Sequence, residues 1–292
     1  WEAGEIGRIY GNGRMSYYAV RRVGSDAKDV PAVSTPGGGM AVVINSGRGP
    51  TAELAVRQAL QHAANKDAII QGILLGTQTR ADTLFSPLVP YCGVPLEPYA
   101  FDTAKAAALL DSAGWLLVEK GRFRSKNGQE LAIDFCFVGN DAVQKSIGEV
   151  LQAQYAKAGI RLNLVGEEED SFLRRQKDGN FGMIFNSTWG PPFEPHAMVG
   201  SMLLPSHADY MAQAGLPMKA GIDKKIEAVL SATDIPLRQA LYTEILTTLH
   251  QQAVYLPVFY FSSLSVHRKD ALDGVHFAPG RTRIPFESFT RP

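Results

Sequence analysis

The chain has 292 residues, 45% of them hydrophobic, with 29 basic and 29 acidic side chains and a formal net charge of zero. That length supplies one large or two modest domains with ample core. The charge balance lacks the basic footprint of a nucleic-acid or anionic-membrane binder, so no nucleic-acid partner is expected. No apolar run reaches the roughly 18 to 20 residues that span a bilayer, because Gly76, Gln78, Thr79 and Arg80 break up the best candidate.

Through residue 40 the periodicity is weak, with Gly11, Gly13, Gly24 and the Gly37-Gly38-Gly39 run marking connections around short strands near 6–10 and 40–44. Thr51 reads as the cap of a helix over 52–64, whose face carries Val56, Leu60, Ala63 and Ala64, with Glu53 in its first turn. A second helix is predicted over 66–75. Four prolines between 87 and 98 forbid helix and central strand alike and predict an extended loop. Asp102 then caps a helix with Ala106, Leu109, Leu110 and Ala113 on one face and Gly114 as its left-handed stop.

A strand at 131–138 follows, then a helix from Asp141 ending at Gly159 and a strand at 160–165, which together make a βαβ unit and hence a parallel pair. A helix over 170–177 leads into a strand at 181–185. Two late helices, 221–232 and one capped by Asp234 with Leu237, Leu241, Ile245 and Leu249 in line, precede a strand at 256–262. The fold class is α/β. The segment 267–292, rich in Pro, Arg and Gly, suits a tail packing on another lobe.

Cysteine is sparse: Cys92 sits in the proline-rich loop and Cys136 in an alternating strand, without metal-like spacing, and two unbridged thiols are expected. No basic n-region or apolar h-region follows Trp1, so the compartment is not legible from targeting signals. Hydrolase, redox and phosphate-loop signatures are missing from the sequence. The glycine run at 37–39 precedes a strand rather than a helix, and the carboxylates Glu167, Glu168, Glu169 and Asp170 sit where a helix dipole favours them.

The stretch after the 181–185 strand is more informative, since ligands of open α/β sheets bind beyond the carboxyl ends of strands. It holds Trp189, Phe193 and His196, with His207 in the next loop. Each aromatic could equally be a packing anchor, and one histidine makes a useful metal site only if the metal arrives already chelated. His62, His250, His267 and His276 read as structural.

Phe181-Gly182-Met183-Ile184-Phe185, Thr188-Trp189-Gly190, Pro195-His196-Ala197 and Pro205-Ser206-His207-Ala208-Asp209, in this order and spacing, closely resemble the nickel-binding periplasmic proteins of the nickel/peptide class. Glu53-Leu54-Ala55-Val56-Arg57, Ala81-Asp82-Thr83-Leu84-Phe85, Ala113-Gly114-Trp115 and Ala253-Val254-Tyr255-Leu256-Pro257 extend the resemblance across most of residues 41–289. It implies a two-lobed clamshell of the periplasmic binding protein-like II type with a mixed, mostly parallel sheet flanked by helices. Residues 1–40 would be a remnant of a largely missing first lobe, 41–262 the second lobe carrying the ligand loop, and 263–292 a tail returning to the first.

The resemblance further implies a monomeric, non-enzymatic, periplasmic solute-binding component of an ABC importer, with a membrane permease as its partner. Its transported ligand would be nickel held by a small organic chelator. His207 matches the metal-ligating histidine, Trp189 the aromatic that lines the cavity, and Thr282 a tail residue facing it. Phe193 and Leu173 stand where the family pattern has tyrosines, which removes two hydroxyl contacts to a chelator and points to a different chelator or a slightly different metal complex. Two rivals stay open: peptide or other small-solute binding in the same fold, and a metal-dependent hydrolase built on His196, His207 and Asp209. Against the hydrolase, the loop around Pro205 gives His207 and Asp209 no need to converge.

Overall fold

A computed structural model of the chain describes residues 8–11, 29–34, 38–117, 121–189, 195–268, 270–277 and 286–290. Strands β1 (Arg8–Gly11), β2 (Asp29–Val33) and β3 (Gly39–Ile44) come first. β3 is buried along its whole length because its faces meet different cores: Met40, Val42 and Ile44 enter one, Ala41 and Val43 the other.

A 3-10 turn at Gly49–Ala52 precedes helix α1 (Leu54–Ala63), so Thr51 is not its cap. Pro50 opens the turn, and Thr51 Oγ1 instead lies 2.7 Å from the carbonyl oxygens of Asn45 and Arg48. Glu53 occupies the cap, its carboxylate 2.9 Å from Lys126 Nζ. The expected apolar face is buried as read, at Val56, Leu60, Ala63 and Ala64. Helix α2 (Lys66–Gly72) stops three residues short of the expected end, and a two-residue strand, β4 (Thr79–Arg80), follows.

Residues 87–98 form neither helix nor strand. Asp102 caps α3 (Thr103–Ser112), its Oδ1 accepting the Lys105 N–H at 2.8 Å, and Gly114 takes a φ of +83° at the stop. A small antiparallel sheet of β5 (Leu116–Leu117), β6 (Arg124–Lys126) and β7 (Gln129–Glu130) was not anticipated, each strand being too short to show alternation. The βαβ unit is present as β8 (Ala132–Val138), α4 (Ala142–Lys157) and β9 (Arg161–Glu167). Asp141 caps α4, Gly159 (φ +79°) ends it, and the strands pair in parallel from Ala132↔Arg161 to Val138↔Glu167.

Helix α5 (Glu169–Lys177) leads to β10 (Met183–Ser187), parallel to β8. Helices α6 (His196–Ser201), α7 (Ala208–Gln213), α8 (Lys219–Ser231) and α9 (Ile235–Gln251) precede β11 (Tyr255–Tyr260) and β12 (Leu264–Arg268). On α9 Ile245 and Leu249 are buried as expected, whereas Leu237 in its first turn is exposed.

The main sheet has six strands in the order β4-β11-β3-β10-β8-β9. It is mixed, as expected, but not mostly parallel: β4/β11, β11/β3 and β3/β10 pair antiparallel, and β10/β8 and β8/β9 parallel. A crossover helix makes the direction of β8 and β9 legible. β3 and β11 have no such link to their neighbours, so their apolar pattern marks them as strands without fixing their direction. Two hydrophobic cores, one on α1 to α4 and one on α5 to α9, sandwich the sheet in three layers. β12 pairs on either side with β1 and β2 in a separate antiparallel sheet, which brings the N-terminal strands and the start of the C-terminal segment together. Cys92 and Cys136 are buried thiols with no bond between them, and burial pushes Cys136 up to about 12.

Gly215, after α7, passes close under the turn that follows β3. Its N–H donates to Ser46 Oγ at 3.0 Å, and a Cβ there would sit 2.1 Å from the Ser46 carbonyl oxygen. Backbone cannot rotate aside as a side chain can, so Gly215→Ala is expected to cost about 2 to 3 kcal/mol. A lowered urea midpoint would register this. An unchanged midpoint would mean that the two segments separate freely.

Candidate functional site

Parallel pairing brings the carboxyl ends of β8, β9 and β10 to one edge of the sheet, where open α/β folds take ligands. Beyond β10, Thr188 prolongs the pairing with β3: its N–H donates to the Gly39 carbonyl at 2.8 Å and its Oγ1 accepts the Gly39 N–H at 2.6 Å. The next residue, Trp189, leaves this clamp with 46% of its surface exposed. Its half-exposed indole presents apolar surface at the carboxyl edge of the sheet, where a ligand would sit.

His207 stands at the N-terminal cap of α7, and its ring lies 6.0 Å from that of Trp189 with 32° between the planes. Behind it lies Asp209, fully buried in the first turn of α7. Oδ2 of Asp209 is 3.2 Å from His207 Nδ1 and 3.0 Å from Ser201 Oγ on α6. Oδ1 accepts from Asn186 Nδ2 on β10 at 2.9 Å and from the Tyr255 hydroxyl on β11 at 3.0 Å. Four polar neighbours suit a carboxylate that has lost all contact with water. The hydrogen bond to Asp209 raises His207 above the ordinary imidazole value, against a burial effect that would lower it. Burial, then the charge of Asp209, pushes Tyr255 well above the ordinary phenol, so its hydroxyl remains a donor.

The expectation that His207 and Asp209 need not converge is therefore corrected. Pro205 lies in the turn that leads into α7, and once α7 begins at Ala208 its first turn places residue 209 beneath the cap residue. The short helices α6 and α7 are not legible in the sequence, because six residues are too few to show a helical period. The hydrolase triad does not assemble: His196 Nδ1 meets the Tyr242 hydroxyl at 2.9 Å, away from His207 and Asp209. Among the described residues, no group of three or more His, Cys, Asp or Glu side chains is placed to hold a metal ion.

Leu173 is half-exposed on α5, beside buried Phe172, and no described interaction joins it to the Trp189–His207 pair. Phe193 and Thr282 lie outside the described residues. The carboxylate run behaves as a helix start: Glu169 and Asp170 occupy the first turn of α5, and Glu167 forms an ion pair with Arg175. His62 and His250 contact the backbone oxygens of Ala100 and Glu97. Asn186, Ser201 and Tyr255 were missed as site residues: Ser201 and Tyr255 show in the sequence only as polar groups inside apolar runs, and Asn186 only as the first polar residue after one.

The arrangement is thus one exposed indole and one imidazole whose Nδ1 is engaged from behind, leaving a single ring nitrogen to coordinate. Such a site suits a metal that brings most of its ligands with it. Residues 3–210 match the family described as bacterial extracellular solute-binding proteins, family 5 Middle. The chain belongs to this family. Relatives include the nickel-binding periplasmic protein of Escherichia coli K12, 46% identical over 98% of this chain and 55% of its own length. The crystal structure of NikA from Brucella suis in complex with Fe(III)-EDTA is 48% identical, with a TM-score of 0.94 over 100% of this chain and 58% of that one. The dipeptide-binding protein of E. coli K12 is 26% identical over 76% of this chain and 40% of its own length. The chain therefore spans little more than half the length of the nickel-binding relative.

Proposed function

We propose that this chain is the ligand-holding portion of a periplasmic solute-binding component of an ABC importer, and that it takes up nickel as a complex with a small organic chelator. The Trp189–His207 pair at the carboxyl edge of the sheet carries this reading. His207 supplies the one protein ligand and Trp189 packs on the organic part of the chelate. In this reading the sheet of β1, β12 and β2 is the share of the other lobe that this chain contains, Phe193 and Thr282 complete the cavity wall, and Leu173 lines its rim. The protein works as a monomer whose closed form docks on a membrane permease. Contacts made only when the lobes close shift the population towards that form, and no bond is broken. With Phe193 and Leu173 in place of tyrosines, the chelator keeps apolar packing and loses two hydroxyl partners.

Fluorescence titration with Ni²⁺ in excess L-histidine tests the role of Trp189. The chain has three tryptophans, and Trp189 stands 6.0 Å from the His207 ring, so nickel should quench it selectively. Trp189→Ala is expected to remove most of the quenching and to weaken binding by about 1 kcal/mol, roughly fivefold. Equal quenching in the variant would place the metal elsewhere. A peptide or other small solute is the second reading, favoured by the likeness to a dipeptide-binding protein, and it predicts binding that is indifferent to nickel.

A further inference from the structure

Asp209 is the most completely buried charged side chain at the site, and its surroundings constrain more than packing. Its Oδ1 faces Asn186 Nδ2 at 2.9 Å and the Tyr255 hydroxyl at 3.0 Å. The orientation of the Asn186 amide is set independently, because its Oδ1 accepts the Ser187 N–H at 2.9 Å. On the other oxygen, Oδ2, Ser201 Oγ lies at 3.0 Å and also 2.6 Å from the Met198 carbonyl, to which it can give its single proton. His207 Nδ1 completes this side at 3.2 Å. A carboxylate oxygen only accepts, so the Nδ1 facing it carries the proton and the lone pair of the neutral imidazole stands on Nε2.

We propose that Asp209 is a positioning residue: it holds His207 in the Nδ1–H tautomer, with Nε2 presented beside Trp189 as the metal-ligating atom, and anchors that imidazole to β10, α6 and β11. This assignment rests on the nickel reading above for its purpose, though the tautomer itself does not depend on any metal. Carboxylate-supported imidazoles of this kind orient metal ligands generally, and loss of the support costs about 10- to 100-fold in affinity.

The same donor count makes Asp209→Asn a sharp test. The amide nitrogen of the new side chain cannot face Asn186 Nδ2, which is itself a donor, so it turns to the Oδ2 side. There Ser201 Oγ can accept while donating to Met198, and His207 Nδ1 must accept as well. The imidazole proton then moves to Nε2, and the lone pair that would bind metal is lost.

Two-bond ¹H–¹⁵N NMR correlations of the metal-free protein at alkaline pH read the tautomer directly, with His207→Ala assigning the signal. The wild type should show the Nδ1–H pattern. Asp209→Asn should show the Nε2–H pattern and bind nickel in excess L-histidine about 10- to 100-fold more weakly. Ser201→Ala, which loosens the hub but keeps the carboxylate, should retain the Nδ1–H pattern and lose less affinity than Asp209→Asn. An Nε2–H pattern in the wild type overturns the proposal even if Asp209→Asn does not fold, and so does an Asp209→Asn protein that binds as the wild type does. A wild type with the Nδ1–H pattern that fails to bind the chelate overturns the nickel reading, and the metal-facing role of Asp209 with it.

Discussion

His207→Ala should abolish binding of a nickel–histidine chelate, raising the dissociation constant by at least about 100-fold, equivalent to about 2.7 kcal/mol. Among the described residues, His207 is the one imidazole at the carboxyl edge of the sheet with an exposed aromatic beside it and a buried carboxylate behind it. The fold should survive. Without the imidazole, Asp209 keeps Asn186, Tyr255 and Ser201 as partners, so the urea midpoint should move little while calorimetric binding disappears. A variant that loses binding and stability together would make His207 a structural residue. One that loses neither would make it an ordinary loop histidine.

Asp82→Ala should instead produce a large effect on stability with none on the site chemistry. Lys66 is almost wholly buried, with Nζ 2.7 Å from the Ala81 carbonyl and 2.8 Å from Asp82 Oδ1. Arg80 adds Nε and Nη2 contacts to the same carboxylate oxygen at 3.1 and 3.0 Å. Removing the carboxylate leaves an ammonium ion in the interior with one carbonyl for company. That costs about 2 to 4 kcal/mol, at the lower end of buried-pair values because Asp82 is partly exposed and solvent screens it. Lys66→Met in the same chain should recover most of the loss, since it removes the stranded charge.

The pH dependence of that stability has a definite sign. Burial alone would raise Asp82, but Lys66 and Arg80 outweigh it and hold the carboxyl below its ordinary value. A carboxyl lowered on folding stabilises the protein above its unfolded value of about 3.9 and loses that contribution as pH falls through the folded value. The difference between wild type and Asp82→Ala in urea should therefore be full near neutrality and shrink in acid. A constant gap would assign the effect to packing.

Much of the fold is legible in the sequence where local signals act within one element. Asp102 and Asp141 cap the helices they were read to cap, Gly114 and Gly159 end them, and the crossover from β8 to β9 follows from periodicity alone. Legibility fails where the deciding contact is distant. Thr51 looks like a cap until the Asn45 and Arg48 carbonyls claim its hydroxyl, and β3 acquires its antiparallel direction from partners at 183–187 and 255–260. The site divides the same way. Trp189 and His207 are visible as residue types beyond a strand, whereas the pairing of His207 with Asp209, and of Asp209 with residues 186, 201 and 255, comes from four elements meeting in space.

Calorimetric titration of the protein with Ni²⁺ in excess L-histidine, beside Ni²⁺ alone and beside a metal-free dipeptide, tests the central claim most directly. The account predicts binding of the nickel–histidine complex in the micromolar range or tighter, with much weaker binding of the free ion and none of the peptide. Tight binding of the dipeptide with no response to the nickel complex would contradict it and make this chain part of a peptide carrier.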